Sequence, residues 1–310
     1  MSTLHLVDLS ARDVAAGFAP FDPAHETVEQ FRATVNSMYA SDPVAHEERI
    51  VPGPAGAPDV RVLIYRPETA IGKVPAILYF HGGGLIAGKP DMMGSASLKL
   101  ARDSGAVVIA VQYRLAPESP FPDPVEDCYA ALTWLFGQAE ALGVDSARIA
   151  VLGHSAGAGL AAALALLARD RGDHALKAQF LVYPMLDPRT GTADAPVDNP
   201  TSGEFLWSRA ANSFGWDAMR GKREIPPERI GHFAPALAED VAAMPPTFIA
   251  VGSLDLFLEE DVAYALRLSR AGVLVEAHIY PGGIHGFDAF PGQLSDAFQS
   301  DLRAAIARFL

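Results

Sequence analysis

The stretch Arg148–Ala168, RIAVLGHSAGAGLAAALALLA, passes from a β-branched apolar run through a glycine to a serine, then into an alanine- and leucine-rich run of helical composition. Ser155 stands between Gly153 and Gly157. This G-x-S-x-G pattern marks a sharp strand-to-helix turn, whose small neighbours let the backbone take strained dihedrals and lift the serine hydroxyl above a sheet. Five residues alone are weak evidence; the strand before them and the helix after them supply the context that gives the pattern meaning. Ser155 is therefore a candidate nucleophile.

Around this turn the chain alternates short apolar runs with longer helical patterns from about Glu47 onward. The strand candidates are RVLIYR, AILYF, VVIAVQY, RIAVL, QFLVYP, TFIAVG and VEAHIY. Most are continuous apolar runs, as expected where helices cover both faces of a parallel sheet. Between them lie SASLKLARDSG, VEDCYAALTWLFGQAEALG, AGLAAALALLARD, EEDVAYALRLSRAG and QLSDAFQSDLRAAIARFL, all of helical pattern. That order predicts an α/β protein, doubly wound or hydrolase-like. Two segments break the alternation: the first 45 residues, helical with Pro and Gly breaks, and Asp187 to about Ala243, rich in Pro, Gly and Trp. The second reads as an excursion over one edge of the sheet.

A serine hydroxyl is a poor nucleophile until a base takes its proton, and the oxyanion formed on an attacked carbonyl needs donors aimed at it. The run AILYFHGGGLIAGKP ends a strand at Phe80 and continues His81, Gly82, Gly83, Gly84, leaving backbone N–H groups bare for close approach to an oxyanion. An HGGG run after an early strand takes this form in lipases and esterases. A phosphate loop is the weaker reading, because the lysine and hydroxyl of G-x-x-x-x-G-K-[ST] are missing. The acid and base should follow the serine in the order Asp or Glu, then His, each in a loop after a strand on the same rim. SLDLF after TFIAVG offers Asp255, and PGGIHGF after VEAHIY offers His285. Glu259, Glu260 and Asp261 rival Asp255, but they fall in the following helix pattern as its acidic first turn.

Together HGGG, YRLAPE (Tyr113–Glu118), GHSAG and HGF (His285–Phe287) resemble the hormone-sensitive-lipase-like esterases, the bacterial family IV, over nearly all the chain from Glu47 to the end. The resemblance implies an α/β-hydrolase fold: a mostly parallel eight-stranded sheet flanked by helices, with a helical cap. Residues 1–42 and 187–243 would form the cap; residues 43–186 and 244–310 would form the catalytic core. It implies a serine carboxylesterase for short- to medium-chain acyl esters, with Ser155, His285 and Asp255 as triad and the N–H groups of Gly83, Gly84 and Ala156 as oxyanion hole. Phe205, Leu206, Trp207, Phe214 and Trp216 would offer apolar walls or pin the cap. Amide, formamide or lactone hydrolysis would use the same three residues. The gibberellin receptors, which resemble this family, depart from it at the histidine, whereas His285 is intact. The resemblance also suggests a homodimer through the last strand and helix. Two positions depart from the usual form: His154 replaces the common aspartate, and Ala158 a common glycine.

His154 is not the expected base, because adjacent side chains leave a sharp turn in different directions and a base must come within roughly 3 Å of the hydroxyl. It should pack or hydrogen-bond beneath the turn, and its exchange for Asp should shift stability or pH optimum modestly. His81 should order the glycine loop, His278 should lie in a strand, and His174 and His232 should lie in loops. None has metal-ligand company, so neither metal nor cofactor is expected.

The 310 residues carry a formal net charge of −13, which argues against a nucleic-acid partner. Half are hydrophobic and a fifth charged, an ordinary globular composition. The longest apolar run, Ala156–Ala168, falls short of the roughly 20 residues that span a bilayer, so no membrane association is expected. The start lacks a basic and then apolar leader pattern, and the lone Cys128 sits in an apolar helical pattern that makes it a packing residue. A cytoplasmic protein acting on a small-molecule ester is the expectation.

Overall fold

The computed structural model describes residues 2–38, 44–68 and 72–310. The expected boundary between the N-terminal cap segment and the core, at 42 and 43, lies outside them. Eight strands form one sheet: β1 (Glu47–Val51), β2 (Val60–Tyr65), β3 (Val74–Phe80), β4 (Val107–Gln112), β5 (Val144–His154), β6 (Ala178–Val182), β7 (Thr247–Gly252) and β8 (Val275–Tyr280). Their order is β1-β2-β4-β3-β5-β6-β7-β8. β2 runs antiparallel to both of its neighbours, β1 and β4; β3 to β8 are parallel to one another. This is the α/β-hydrolase fold predicted from the sequence. The strand candidates all fall on β2 to β8. The unnamed one, β1, is an edge strand with three exposed residues in five, so no apolar run marks it.

Nine helices accompany the sheet among the described residues: α1 (Arg12–Gly17), α2 (Val28–Met38), α3 (Gly94–Ser104), α4 (Asp123–Leu142), α5 (Ala156–Arg171), α6 (Arg209–Arg220), α7 (Ile230–Phe233), α8 (Leu258–Arg270) and α9 (Gln293–Phe309). Successive strand side chains point to opposite faces, and both sets are buried. Ala76, Leu78, Ile149 and Val151 pack with α4, α5 and α8. Ile77, Tyr79, Ala150 and Leu152 pack with α9 on the other side. The central helix α5 is buried on every side from Ala156 to Ala168, which explains its apolar composition all round. No helix of the described residues is long and apolar enough to cross a membrane.

The segment after β6 contains no strand. Its α6 carries buried Ala211, Trp216 and Met219 into the larger core. The N-terminal segment is tied to it, because Glu204 accepts hydrogen bonds from Thr3 N–H and Oγ1, both at 2.6 Å. His232 differs from expectation: it lies in α7, buried, with Nε2 2.7 Å from Asp170. Four apolar-bounded residues make too short a helix to leave a periodic signal. His174 does lie outside helices and strands, stacked on Phe136 at 4.6 Å.

Candidate active site

β5 ends at His154 and α5 starts at Ala156, so Ser155 is the whole turn. Its φ of 57° and ψ of −123° are strained for a residue with a side chain. The strain is held from both sides. Ser155 N–H donates to Val182 O at 2.9 Å; its carbonyl accepts from Ala158 and Gly159 at 3.0 Å and from Met185 at 3.1 Å. Gly157 lets the turn press on the end of β3, since a Cβ there would stand 2.2 Å from the Phe80 carbonyl oxygen and 2.3 Å from that of His81. The serine turn and the glycine loop are therefore packed as one unit.

The loops after β7 and β8 bring two further side chains to Ser155. His285 Nε2 lies 2.9 Å from Ser155 Oγ, and His285 Nδ1 lies 2.9 Å from Asp255 Oδ2. Asp255 is fully buried, and its Oδ1 accepts the Phe257 N–H at 3.0 Å. A carboxylate can only accept, so Nδ1 carries the proton and Nε2 is left to accept the serine hydroxyl. The rings of Tyr183, Phe257 and Trp207 surround the imidazole, with centroids at 4.8, 5.3 and 6.4 Å. The rival acids are elsewhere. Glu259, Glu260 and Asp261 form the first turn of α8, where Glu260 accepts from Leu186 N–H at 2.7 Å and from the Thr190 hydroxyl.

The glycine loop turns with φ of 127° at Gly83 and 61° at Gly84. Its own hydrogen bonds run from Ile86 and Ala87 back to the Gly83 carbonyl. The N–H groups of Gly83 and Gly84 have no backbone acceptor among the described residues, and that of Ala156 opens α5, where no intrahelical acceptor exists. His81 organises the loop: it stacks on Tyr113 at 4.3 Å, its Nδ1 donates to Gly82 O at 2.8 Å, and its carbonyl accepts from the Tyr113 hydroxyl at 2.6 Å. Burial pushes the His81 imidazole down to about 4, so it is neutral near pH 7.

The YRLAPE run braces this loop. Besides Tyr113, Arg114 forks onto buried Asp127 at 2.8 and 2.7 Å. Glu118 takes both terminal nitrogens of Arg32, from α2, at 2.8 Å.

Of the five apolar candidates, Trp207 reaches the site. Phe214 meets Phe21 at 5.5 Å, Trp216 meets Phe233 at 5.3 Å, and Phe205 and Leu206 join a small cluster with Val7, Ala11, Leu254 and Ile284. Phe205, Leu206 and Phe214 thus meet residues outside the 187–243 segment, while Trp216 and Phe233 meet within it. His154 does lie beneath the turn, its Nδ1 3.2 Å from the Tyr79 hydroxyl and its Nε2 3.4 Å from Asp288 Oδ2. Sequence reasoning passed over Tyr183 and Asp288. Asp288 sits three residues after His285, so its place in the loop that carries His285 could have singled it out.

A family model for the α/β hydrolase fold matches residues 77–289. Esterase LipI of Mycobacterium tuberculosis is 36% identical over 278 residues, 86% of this chain and 83% of that protein. An ethyl acetate hydrolase of Pseudomonas putida is 36% identical over 73% of this chain and 70% of its own length. Among solved structures, a bacterial heroin esterase superposes with TM-score 0.89 at 36% identity, covering 100% of this chain and 99% of that one. Esterase LipW from Mycobacterium marinum gives 0.86 at 33% identity, covering 99% and 96%. The chain belongs to the hormone-sensitive-lipase-like carboxylic-ester hydrolases of the α/β-hydrolase fold.

Proposed function

We propose that the protein hydrolyses short- to medium-chain acyl esters through an acyl-enzyme on Ser155. The observation that carries this reading is the unbroken chain Ser155 Oγ–His285 Nε2 and His285 Nδ1–Asp255 Oδ2, each link 2.9 Å. Ser155 Oγ attacks the ester carbonyl as His285 Nε2 takes its proton; Asp255 holds the tautomer and stabilises the imidazolium. The carbonyl oxygen, now negative, receives the N–H groups of Gly83, Gly84 and Ala156. Collapse expels the alcohol, protonated by His285, and water activated by the same imidazole then releases the acid. Residues 1–42 and 187–243 act as a cap, with Trp207 as a wall. The ethyl acetate hydrolase among the relatives supports a small acyl group.

In Ser155→Ala, turnover of p-nitrophenyl acetate should fall on the order of 10⁵–10⁶-fold with the fold intact. A variant keeping more than a tenth of the activity would refute the nucleophile. A panel from acetate to decanoate reads the chain-length preference. We further propose a cytoplasmic homodimer formed through β8 and α9. Exposed Ile279 on the edge strand β8 supports the contact, and the buried, unpaired Cys128 fits a reducing compartment. Sedimentation at graded concentrations tests the dimer.

A further inference from the structure

His154 and Asp288 meet under the serine turn from two different loops. His154 is the residue before Ser155; Asp288 belongs to the one-turn helix 287–289 that follows His285. Asp288 Oδ2 faces His154 Nε2 at 3.4 Å, and its Oδ1 accepts the Tyr183 hydroxyl at 2.6 Å. Tyr183 stands between the two loops. Its ring meets His285 edge-on at 4.8 Å and His154 at 5.8 Å. It keeps a φ of 38°, unusual for a residue with a side chain, while its N–H donates to Ala250 O at 2.6 Å. The far side of Asp288 is also fixed, because its carbonyl accepts the Ser295 hydroxyl at 2.7 Å.

We infer that His154 and Asp288 form a polar clamp, bridged by Tyr183, that sets the spacing between the serine turn and the loop carrying His285. This rests on the reading of Ser155 and His285 as nucleophile and base. On that reading the two loops are joined by the 2.9 Å Ser155–His285 bond and, in parallel, by the clamp. The first link must break and re-form at every turnover; the second need not. Burial alone would raise Asp288, but His154, the Tyr183 hydroxyl and its own backbone N–H outweigh that and hold the carboxyl below its ordinary range. A carboxylate so largely withdrawn from water is favoured while it is paired.

A cleft of about 90 Å³ lined in part by Tyr79, Ser97, Leu152, His154 and Asp288 lies beside the pair. The other charged groups on this cleft are Lys99 and Asp103 of α3, which pair with each other, and Arg303 of α9, 3.5 Å from Asp103. None replaces Asp288 as partner of the imidazole. The aspartate usual at position 154 would here face the largely buried carboxylate of Asp288. His154→Asp should therefore do far more than the modest shift expected from the sequence.

The test is steady-state kinetics with p-nitrophenyl acetate from pH 5 to 9, with melting curves, on full-length wild type, His154→Asp, Asp288→Asn, the exchange His154→Asp/Asp288→His, and Ser155→Ala. Asp288→Asn should lower kcat about 10- to 100-fold, the size expected of a misplacement near 1 Å, with KM within about twofold and an altered pH profile. His154→Asp should do the same, and the exchange should recover kcat at least about tenfold over it. If His154→Asp does not fold, Asp288→Asn decides. A folded Asp288→Asn with wild-type kcat and pH profile overturns the clamp, as does an exchange that recovers melting temperature without kcat. Activity surviving in Ser155→Ala would instead fail the reading of the nucleophile.

Discussion

Gly84 lies so close under the indole of Trp207 that a Cβ there would stand 2.0 Å from the ring atom Cη2. The ring cannot easily give way, because its Nε1 donates to Asn212 Oδ1 at 3.2 Å and Asn212 Nδ2 donates to Thr190 O at 2.8 Å. Phe31 of α2 supports the indole at 6.4 Å. A proposed oxyanion donor and a rigid aromatic wall thus meet in van der Waals contact.

Truncating that wall should lengthen the acyl chain the site accepts. In Trp207→Ala the ratio of kcat/KM for p-nitrophenyl octanoate over acetate should rise at least about tenfold, since each methylene admitted to an apolar pocket is worth about 1 kcal/mol or more. Gly84→Ala should lower kcat about 10²-fold by displacing the donor. The double variant should recover part of that loss, because the added methyl then has room. An unchanged chain-length profile in Trp207→Ala would remove Trp207 from the substrate cleft.

The serine turn, the glycine loop, Asp255 and His285 were legible because each is a local pattern at the end of an apolar strand, and parallel strands bring such ends to one rim. What lines the site was less legible. Phe205, Trp207 and Trp216 are alike in composition, and only the path of the 187–243 segment decides that Phe205 packs under Val7, Trp216 against Phe233 and Trp207 over Gly84. Tyr183 and Asp288 escaped notice for the same reason: their partners lie 105 and 134 residues away in sequence. β1 escaped because an edge strand half in water carries no continuous apolar run.

His81 makes stability fall on the acid side. Its folded value is about 4 against 6.5 unfolded, lowered by burial. Below about pH 6.5 the unfolded chain takes up a proton that the folded chain refuses until about pH 4. The stabilisation is therefore whole above 6.5 and lost as pH falls to 4, a change of about 3 kcal/mol. Melting temperature should drop across that window, and His81→Gln should show a shallower drop. Parallel curves for the two proteins would exclude His81 as the cause.

Asp261 makes the opposite contribution. Its side chain is fully buried and neither oxygen has a hydrogen-bond partner among the described residues. Burial, then the neighbouring charges of Glu260 and Asp255, push the carboxyl well above its usual range. A raised folded value means that stability is greatest below the unfolded value of 3.8 and is lost as pH rises towards the folded one. Asp261→Asn removes the titration while keeping the shape. Its stability should exceed that of wild type by a margin that grows from about pH 4 upward, reaching about 1–3 kcal/mol at pH 8, as read from melting curves. A constant margin would show that ionisation is not involved.

Arg32 ties α2 to the loop that bears the proposed oxyanion donors. Its Nε donates to Ile86 O at 2.6 Å and its Nη2 to Ala116 O at 3.0 Å, both residues fully buried, while the fork closes on Glu118. The Glu118 side chain is more than half exposed, so that ion pair adds little. The two carbonyls matter more, because each left without a donor costs about 1–3 kcal/mol. Arg32→Ala should lower stability by about that much and reduce kcat/KM for p-nitrophenyl butyrate about tenfold as the loop beyond Gly84 loosens. Arg32→Lys should recover the smaller share, since one ammonium cannot hold both carbonyls and the carboxylate in a planar fork. If Arg32→Ala lowers the melting temperature but leaves kcat/KM as in wild type, α2 stabilises the fold without reaching the proposed oxyanion donors.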